Sequence, residues 1–206
     1  MSFNPAKHNR RSVRLRGWDY ARASAYFVTV CTQNRECLFG NVVQGEMRLN
    51  DFGLRVKNIW DDLPNHYPTV VLDSFVIMPN HIHGIIALTD GLTDIGAASV
   101  GARFNHAPTN HVPTMNPMPV EPFIKRHALG EIIQGLKSFS TRRINESRNT
   151  PGMIIWQRNY HEHIVRNDDE LIRIRRYIAN NPRKWESDLE NPALITFAPA
   201  TNPKNL

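Results

Sequence analysis

Cysteine is scarce in this sequence of 206 residues, where only Cys31 and Cys37 occur. Two cysteines are too few for a disulfide framework, so we expect reduced thiols in a cytoplasmic protein. No apolar run approaches the roughly 18 residues of a membrane-spanning helix, and we expect no membrane partner. A GxxxxGK[ST] phosphate loop is also lacking. Hydrophobic residues make up 41%, which excludes wholesale disorder and allows one domain with a sizeable core.

Positive charge is in excess, and it is unevenly distributed. The net charge is +6, with +5 in residues 1–24, −4 in residues 25–124 and +7 in residues 125–184. A single charged run is most often a solvated surface. Two basic regions around an acidic middle favour instead a surface that binds a polyanion such as nucleic acid. The candidate contacts are Arg11, Arg14, Arg16, Lys137, Arg142, Arg143, Arg158, Arg173 and Arg176.

The spacing of apolar residues predicts an α+β fold. Strands are predicted at Ala25–Thr32, Val70–Met78, Ile82–Leu88 and Met153–Gln157. Helices are predicted at Asn50–Leu63, His127–Ser147 and from Asn167 to Asn181, where Pro182 ends the last one. The order β-α-β-β-α-β followed by an additional C-terminal helix is that of a ferredoxin-like sandwich.

Composition divides the chain into three parts. A basic N-terminal arm is expected at 1–24, one domain at 25–184 and a loose tail at 185–206. Within the domain, residues 90–124 hold five of the 14 prolines and show little periodicity. This composition predicts a flexible insert.

Two histidines, His81 and His83, lie at the start of the third predicted strand. Side chains alternate along a strand, so both imidazoles should lie on one face and Ile82 on the other. Adjacent imidazoles can bind a divalent metal together, but for this spacing taken alone two surface histidines on a half-exposed strand are the commoner explanation. His161 and His163 have the same spacing, and we interpret them as structural or close to DNA.

Tyr177 and Asn181 are expected on one face of the last helix, one turn apart. A phenol can act as a nucleophile once its proton is lost, and an amide oxygen can bind a hard metal ion. The pKa of a free phenol is about 10, so a nearby cation would have to favour the phenolate. The alternative is a tyrosine packed on the sheet with a helix-capping asparagine. Trp156 and Phe139 are expected in the core.

Several separated segments occur together in the chain. They are RRSVRLRGWDYARASAYFVTVCTQNRECLFG, MPNHIHG, IIQGLKSFSTRRIN, WQRNYHEHIVRN and RRYIANNP. In this order, over about residues 10–186, they resemble the REP-associated tyrosine transposases of the single-tyrosine, His-hydrophobic-His superfamily.

This resemblance implies a nuclease and strand transferase acting on single-stranded DNA that is folded into a REP-like palindromic hairpin. By position, His81, His83 and Asn181 would bind Mg²⁺ or Mn²⁺. Tyr177, on the additional helix, would attack a backbone phosphate to form a 5′-phosphotyrosine. The resemblance also implies a bacterial, nucleoid-associated protein that is a monomer or a homodimer.

Two alternatives remain open at this point. The chain could be a catalytically silent protein that binds hairpin DNA or regulates its own element. It could also be a zinc-bound structural protein, which the absence of a CxxC pair disfavours.

Overall fold

The computed structural model describes residues 17–90, 125–188 and 190–195. The basic arm up to residue 16 and the predicted insert from residue 91 to 124 lie outside this range. In chain order the elements are β1 (Ser24–Cys31), β2 (Gly40–Val43), β3 (Glu46–Leu49), α1 (Asp51–Asp61), α2 (Leu63–His66), β4 (Val70–Ile77), β5 (His81–Leu88), α3 (Leu129–Ser147), β6 (His161–Val165), α4 (Asp168–Asn180) and α5 (Pro192–Ile195). Among these described helices, none is long and apolar enough to cross a membrane.

Four strands form one antiparallel sheet in the order β4-β5-β1-β6. The neighbours β4 and β5 join in a tight hairpin at Pro79-Asn80, where the Met78 amide donates to the His81 carbonyl at 2.8 Å. This order and orientation confirm the predicted ferredoxin-like α+β fold with an additional C-terminal helix, α4. A separate two-stranded hairpin of β2 and β3 was not predicted, because its strands have only four residues each.

The sheet separates two layers of different character. On one face Tyr26, Val28 and Val30 of β1 pack with α1 and α3 in the larger hydrophobic core. On the other face Ala25 and Ile85 pack with α4 in a smaller cluster. Strand alternation therefore places Phe27, Thr29 and Cys31 beneath α4.

Helix boundaries follow the local sequence. The Asn50 side chain caps α1 by accepting hydrogen bonds from the Phe52 and Gly53 amides, both at 3.0 Å. The Asn167 side chain caps α4 by accepting from the Glu170 amide at 2.9 Å. Pro182 follows α4, and the chain continues in a 3₁₀ turn, Pro182–Ser187.

The prediction of a strand at Met153–Gln157 is wrong, because the last strand is β6 at His161–Val165. In the earlier segment Trp156 forms only an isolated bridge with Thr32. Its indole enters the core, where Nε1 donates to Ser140 Oγ at 2.8 Å. The strand β6 was not predicted because three of its five residues, in HEHIV, are polar and it lacks the hydrophobic pattern of a strand.

Two further expectations need correction. Phe139 lies at the surface, 44% exposed, and stacks on His66 with ring centroids 5.6 Å apart. The expected tail from residue 185 is not loose over its described part, because Asn80 Nδ2 donates to the Glu190 carbonyl at 2.7 Å. The Arg35 guanidinium also pairs with the Glu190 carboxylate at 2.9 Å, so this segment packs against the sheet.

Gly84 lies where β5 passes beneath α1. The Trp60 ring stacks on Phe75 at 4.2 Å, and its benzene edge occupies the space that a Cβ on residue 84 would need. A glycine at this position therefore lets the indole lie flat against the strand that begins with the histidine pair.

We expect Gly84→Ala to lower the free energy of unfolding by about 1–3 kcal/mol, because the added methyl group overpacks the core. Urea denaturation measures this loss. In a Trp60→Phe background, which removes the obstructing ring edge, the same substitution should cost less. Equal costs in the two backgrounds would show that the Trp60 contact is not the cause.

Candidate active site

The two histidines of β5 lie side by side beneath α4, as their spacing predicts. Ile82 points into the larger core, whereas His81 and His83 are buried on the opposite face. Their Nε2 atoms are 3.1 Å apart. Two nitrogens at this separation can both contact one metal ion at about 2.1 Å.

The outer nitrogen of each ring is held by a neighbouring side chain. Asn80 donates both amide hydrogens to the carbonyls of Arg35 and Glu190, so its Oδ1 accepts from His81 Nδ1 at 2.8 Å. The His83 Nδ1 lies 2.8 Å from Thr29 Oγ1. A neutral ring that donates from Nδ1 presents a lone pair at Nε2. The Asn80 contact therefore gives His81 a lone pair at Nε2, whereas the Thr29 hydroxyl, which can donate or accept, fits either tautomer of His83.

Burial keeps both imidazoles neutral. It lowers the pKa of His81 to about 4, with the Arg35 charge acting in the same direction. Burial also lowers the pKa of His83 to about 3, with His81 as the next cause. Neutral imidazole is the form that binds metal ions.

Tyr177 reaches the pair from α4 within the same chain. Its hydroxyl oxygen lies 3.2 Å from His83 Nε2, and its ring packs edge-on against Phe27 at 5.9 Å. Burial raises the pKa of the phenol above its ordinary value, and the charges of Asp188 and Glu190 raise it further, whereas a hydrogen bond with Asn181 lowers it. Tyr177 therefore remains a protonated phenol at neutral pH in this arrangement.

Asn181 caps α4 next to the same site and is 3% exposed. Its Oδ1 is buried and has no hydrogen-bond partner within the described part of the chain. A buried amide oxygen without a partner is energetically costly. This oxygen could serve as a ligand of a metal ion bound at the histidine pair.

A carboxylate from the segment after α4 approaches the histidine pair. Asp188 Oδ2 lies 3.9 Å from His81 Nε2. In the described residues no group of three or more His, Cys, Asp or Glu side chains is arranged to hold a metal ion.

A partly buried ion pair fixes α4 to the edge of the sheet. β4 is irregular between Leu72 and Phe75, and from this irregularity Asp73 Oδ1 accepts a hydrogen bond from Arg175 Nε at 2.8 Å. A second bond joins Arg175 Nη2 to Asp73 Oδ2. Two parallel bonds set the orientation of the helix as well as its position, and Tyr177 lies two residues further on.

The basic residues predicted to contact DNA are not on one surface. Arg173 and Arg176 are exposed on α4, on the same side of the sheet as Tyr177. Arg142 and Arg143 are exposed on α3, which packs on the opposite side. Arg158 is exposed in the loop before β6, whereas Arg11, Arg14 and Arg16 lie outside the described residues.

The Lys137 side chain forms hydrogen bonds within the protein. Its ammonium donates to the carbonyls of Gln157, Arg158 and Asn159 at 2.9, 3.2 and 3.0 Å. Burial lowers the pKa of this amine to about 8. Its contacts hold the loop that leads into β6.

Sequence reasoning did not find the residues that orient the site. Thr29, Asn80 and Asp188 are polar, and Thr29 and Asp188 approach the histidine pair only in space. The one available signal was Asn80 itself, a polar residue in the tight turn immediately before His81.

The buried histidines should make the metal-free protein sensitive to acid. Because their pKa values are lower in the folded than in the unfolded chain, the unfolded chain binds more protons below about pH 6.5. Stability is therefore fully present above that pH and is lost as the pH falls towards 3. Between pH 7 and 5 we expect a loss on the order of 1–2 kcal/mol for each histidine.

Urea denaturation in EDTA measures this dependence, with a His81→Gln/His83→Gln variant for comparison. The variant should show a smaller loss of stability over the same pH range. An identical loss would assign the acid sensitivity to other groups.

Comparison with known proteins was consistent with the predicted resemblance. No family model matches the chain. An uncharacterized protein of Haemophilus influenzae is 36% identical over 186 residues, which make up 90% of this chain and 95% of that protein. A solved structure of a REP-associated tyrosine transposase bound to a REP hairpin has a TM-score of 0.52 and 16% identity, over 85% of this chain and 74% of that one. The chain therefore belongs to the family of the Haemophilus influenzae protein and has the fold of the REP-associated tyrosine transposases.

Proposed function

We propose that this protein is a metal-dependent transposase that cleaves and rejoins single-stranded hairpin DNA through a 5′-phosphotyrosine intermediate. The observation that carries the proposal is the position of the Tyr177 hydroxyl, 3.2 Å from His83 Nε2 in the same chain. This contact brings a potential nucleophile to a potential metal site. The shared fold with a REP-associated tyrosine transposase supports the same function.

In this proposal His81, His83 and Asn181 hold Mg²⁺ or Mn²⁺. The two neutral imidazoles and the partnerless amide oxygen are a chemically suitable set of ligands. When bound, the cation would polarise the phosphate and neutralise developing negative charge. Asn80 and Thr29 would keep the imidazole rings oriented by holding their Nδ1 atoms.

The proposed role of Tyr177 is nucleophilic. Its oxygen forms a bond to phosphorus while the bond from phosphorus to the 3′ oxygen breaks. The phenol releases its proton to solvent, and the leaving 3′ oxygen takes up a proton from solvent. The product is a 5′-phosphotyrosine with a free 3′-OH. The new ester conserves the energy of the broken bond, so attack by a 3′-OH can reverse the reaction without an external energy source.

The proposed partner is single-stranded DNA with a hairpin. The solved transposase of the same fold is bound to a REP hairpin, and the basic excess of this chain suits a polyanion. Arg173 and Arg176 are the predicted contacts on the side of Tyr177. Arg142, Arg143 and Arg158 could contact a DNA stem only if it extends around to other surfaces.

We expect Tyr177→Phe to abolish formation of a covalent protein–DNA adduct, since the variant retains the ring but loses the attacking oxygen. The assay incubates the protein with a labelled DNA hairpin carrying single-stranded flanks of mixed sequence, in Mn²⁺, and resolves the products on a denaturing gel. Tyr160→Phe, which removes a phenol outside the proposed site, should retain the adduct.

An adduct formed by Tyr177→Phe would refute the assignment of the nucleophile. Hairpin binding by the unaltered protein without an adduct, in both Mg²⁺ and Mn²⁺, would instead support the catalytically silent alternative.

We expect the metal-free protein to bind one Mn²⁺ ion, and His83→Gln and Asn181→Ala each to weaken binding by about 10-fold or more. Isothermal titration calorimetry measures this without any reaction. His66→Gln is the matched control, because His66 lies on the surface beside Asp62. Unchanged affinity in both site variants would exclude these residues as ligands, and circular dichroism verifies that each variant is folded.

A further inference from the structure

A cleft of about 330 Å³ opens beside Tyr177 on the side facing β6. Its walls come from β1, β6 and α4, whereas His81 and His83 lie on β5, on the other side of β1. Tyr177 forms part of the wall, so the cleft and the histidine pair flank the same phenol. A substrate held at the Tyr177 hydroxyl would extend into this cleft in one direction.

The base of the cleft is apolar and partly aromatic. Phe27 and Ile174 line it, and the Phe27 ring is held by stacking on His83 at 5.5 Å and by edge contacts with Tyr177 and His161 at 5.9 and 6.5 Å. A ring fixed on several sides is a firm surface for a planar group. Unpaired nucleobases bind proteins in this way, by packing on aromatic and apolar side chains.

The rim of the cleft suits an anion. Arg173 is exposed there and has no ion-pair partner in the described ranges of the chain. The carboxylate of Glu170 is already engaged, because it accepts hydrogen bonds from His163 Nε2 and the Arg166 amide, both at 2.8 Å. The Arg173 guanidinium is therefore the available charge for a phosphate.

We propose that this cleft binds one unpaired nucleotide next to the phosphate that Tyr177 attacks. The base packs against Phe27 and Ile174 beside His161, and Arg173 binds the phosphate of that nucleotide. A cleft of about 330 Å³ has room for a single nucleotide. The identity of the ligand as DNA rests on the proposed function, whereas the shape and charge of the cleft do not.

The test measures DNA binding in EDTA in a Tyr177→Phe background, so that no cleavage is required. One probe is a fluorescent DNA hairpin with four-nucleotide flanks of mixed sequence on both sides. The second probe is the same hairpin with abasic flanks. We expect the abasic probe to bind at least fivefold more weakly, because its flanks have no base that could occupy the cleft. Equal affinities for the two probes would overturn the proposal.

A substitution that fills the cleft locates the effect. Ile174→Trp should weaken binding of the first probe at least fivefold and remove the preference for bases in the flanks. Ile172→Trp is the matched control, since Ile172 is exposed on the same helix outside the cleft, and it should bind as the parent does. Equal behaviour of the two variants would overturn the proposal.

Crosslinking provides a readout that does not depend on how well Ile174→Trp folds. Flanks carrying 5-iododeoxyuridine should crosslink to peptides containing Phe27 or His161 after irradiation, and crosslinks confined to other peptides would overturn the proposal. Failure of the proposed function gives a different result, namely no covalent adduct in Mn²⁺ with the unaltered protein. Base-dependent binding in EDTA is independent of that result.

Discussion

The alternation of side chains across the central pair of strands, β1 and β5, is the constraint on which the rest of the molecule depends. The same eight-residue strand β5 sends Ile82 and Ile86 into the larger core and His81 and His83 beneath α4. A shift of one residue in the register would bury the imidazoles in the larger core and turn the isoleucines towards α4. Core packing therefore fixes the position of the site.

Burial then determines the chemistry of that site. Removal from water keeps both imidazoles neutral, and Asn80 and Thr29 hold their outer nitrogens so that the two Nε2 atoms face each other. The same burial disfavours ionisation of Tyr177. The arrangement is suited to a cation, which would bind the neutral imidazole nitrogens and the Asn181 oxygen and favour the phenolate.

The position of Tyr177 depends on how α4 is attached to the sheet. The Asp73–Arg175 pair holds the helix at the edge of the sheet, and Leu171 and Ile178 pack it on the smaller cluster. The segment after the helix returns to the sheet through Glu190 and brings Asp188 near His81. Tyr177 thereby has a defined position between the histidine pair and the cleft lined by Phe27.

The sequence by itself determined the fold class, the asparagines at which α1 and α4 begin, and the shared face of His81 and His83. Each of these depends on interactions between residues close in the chain, which periodicity and capping patterns record. Tertiary structure alone decided that β6 is the last strand, that Lys137 binds carbonyls, and that Thr29 and Asp188 lie beside the histidines. These outcomes depend on contacts between segments that are distant in the sequence. Polar residues whose hydrogen bonds come from such contacts leave no hydrophobic periodicity in the sequence by which they could be predicted.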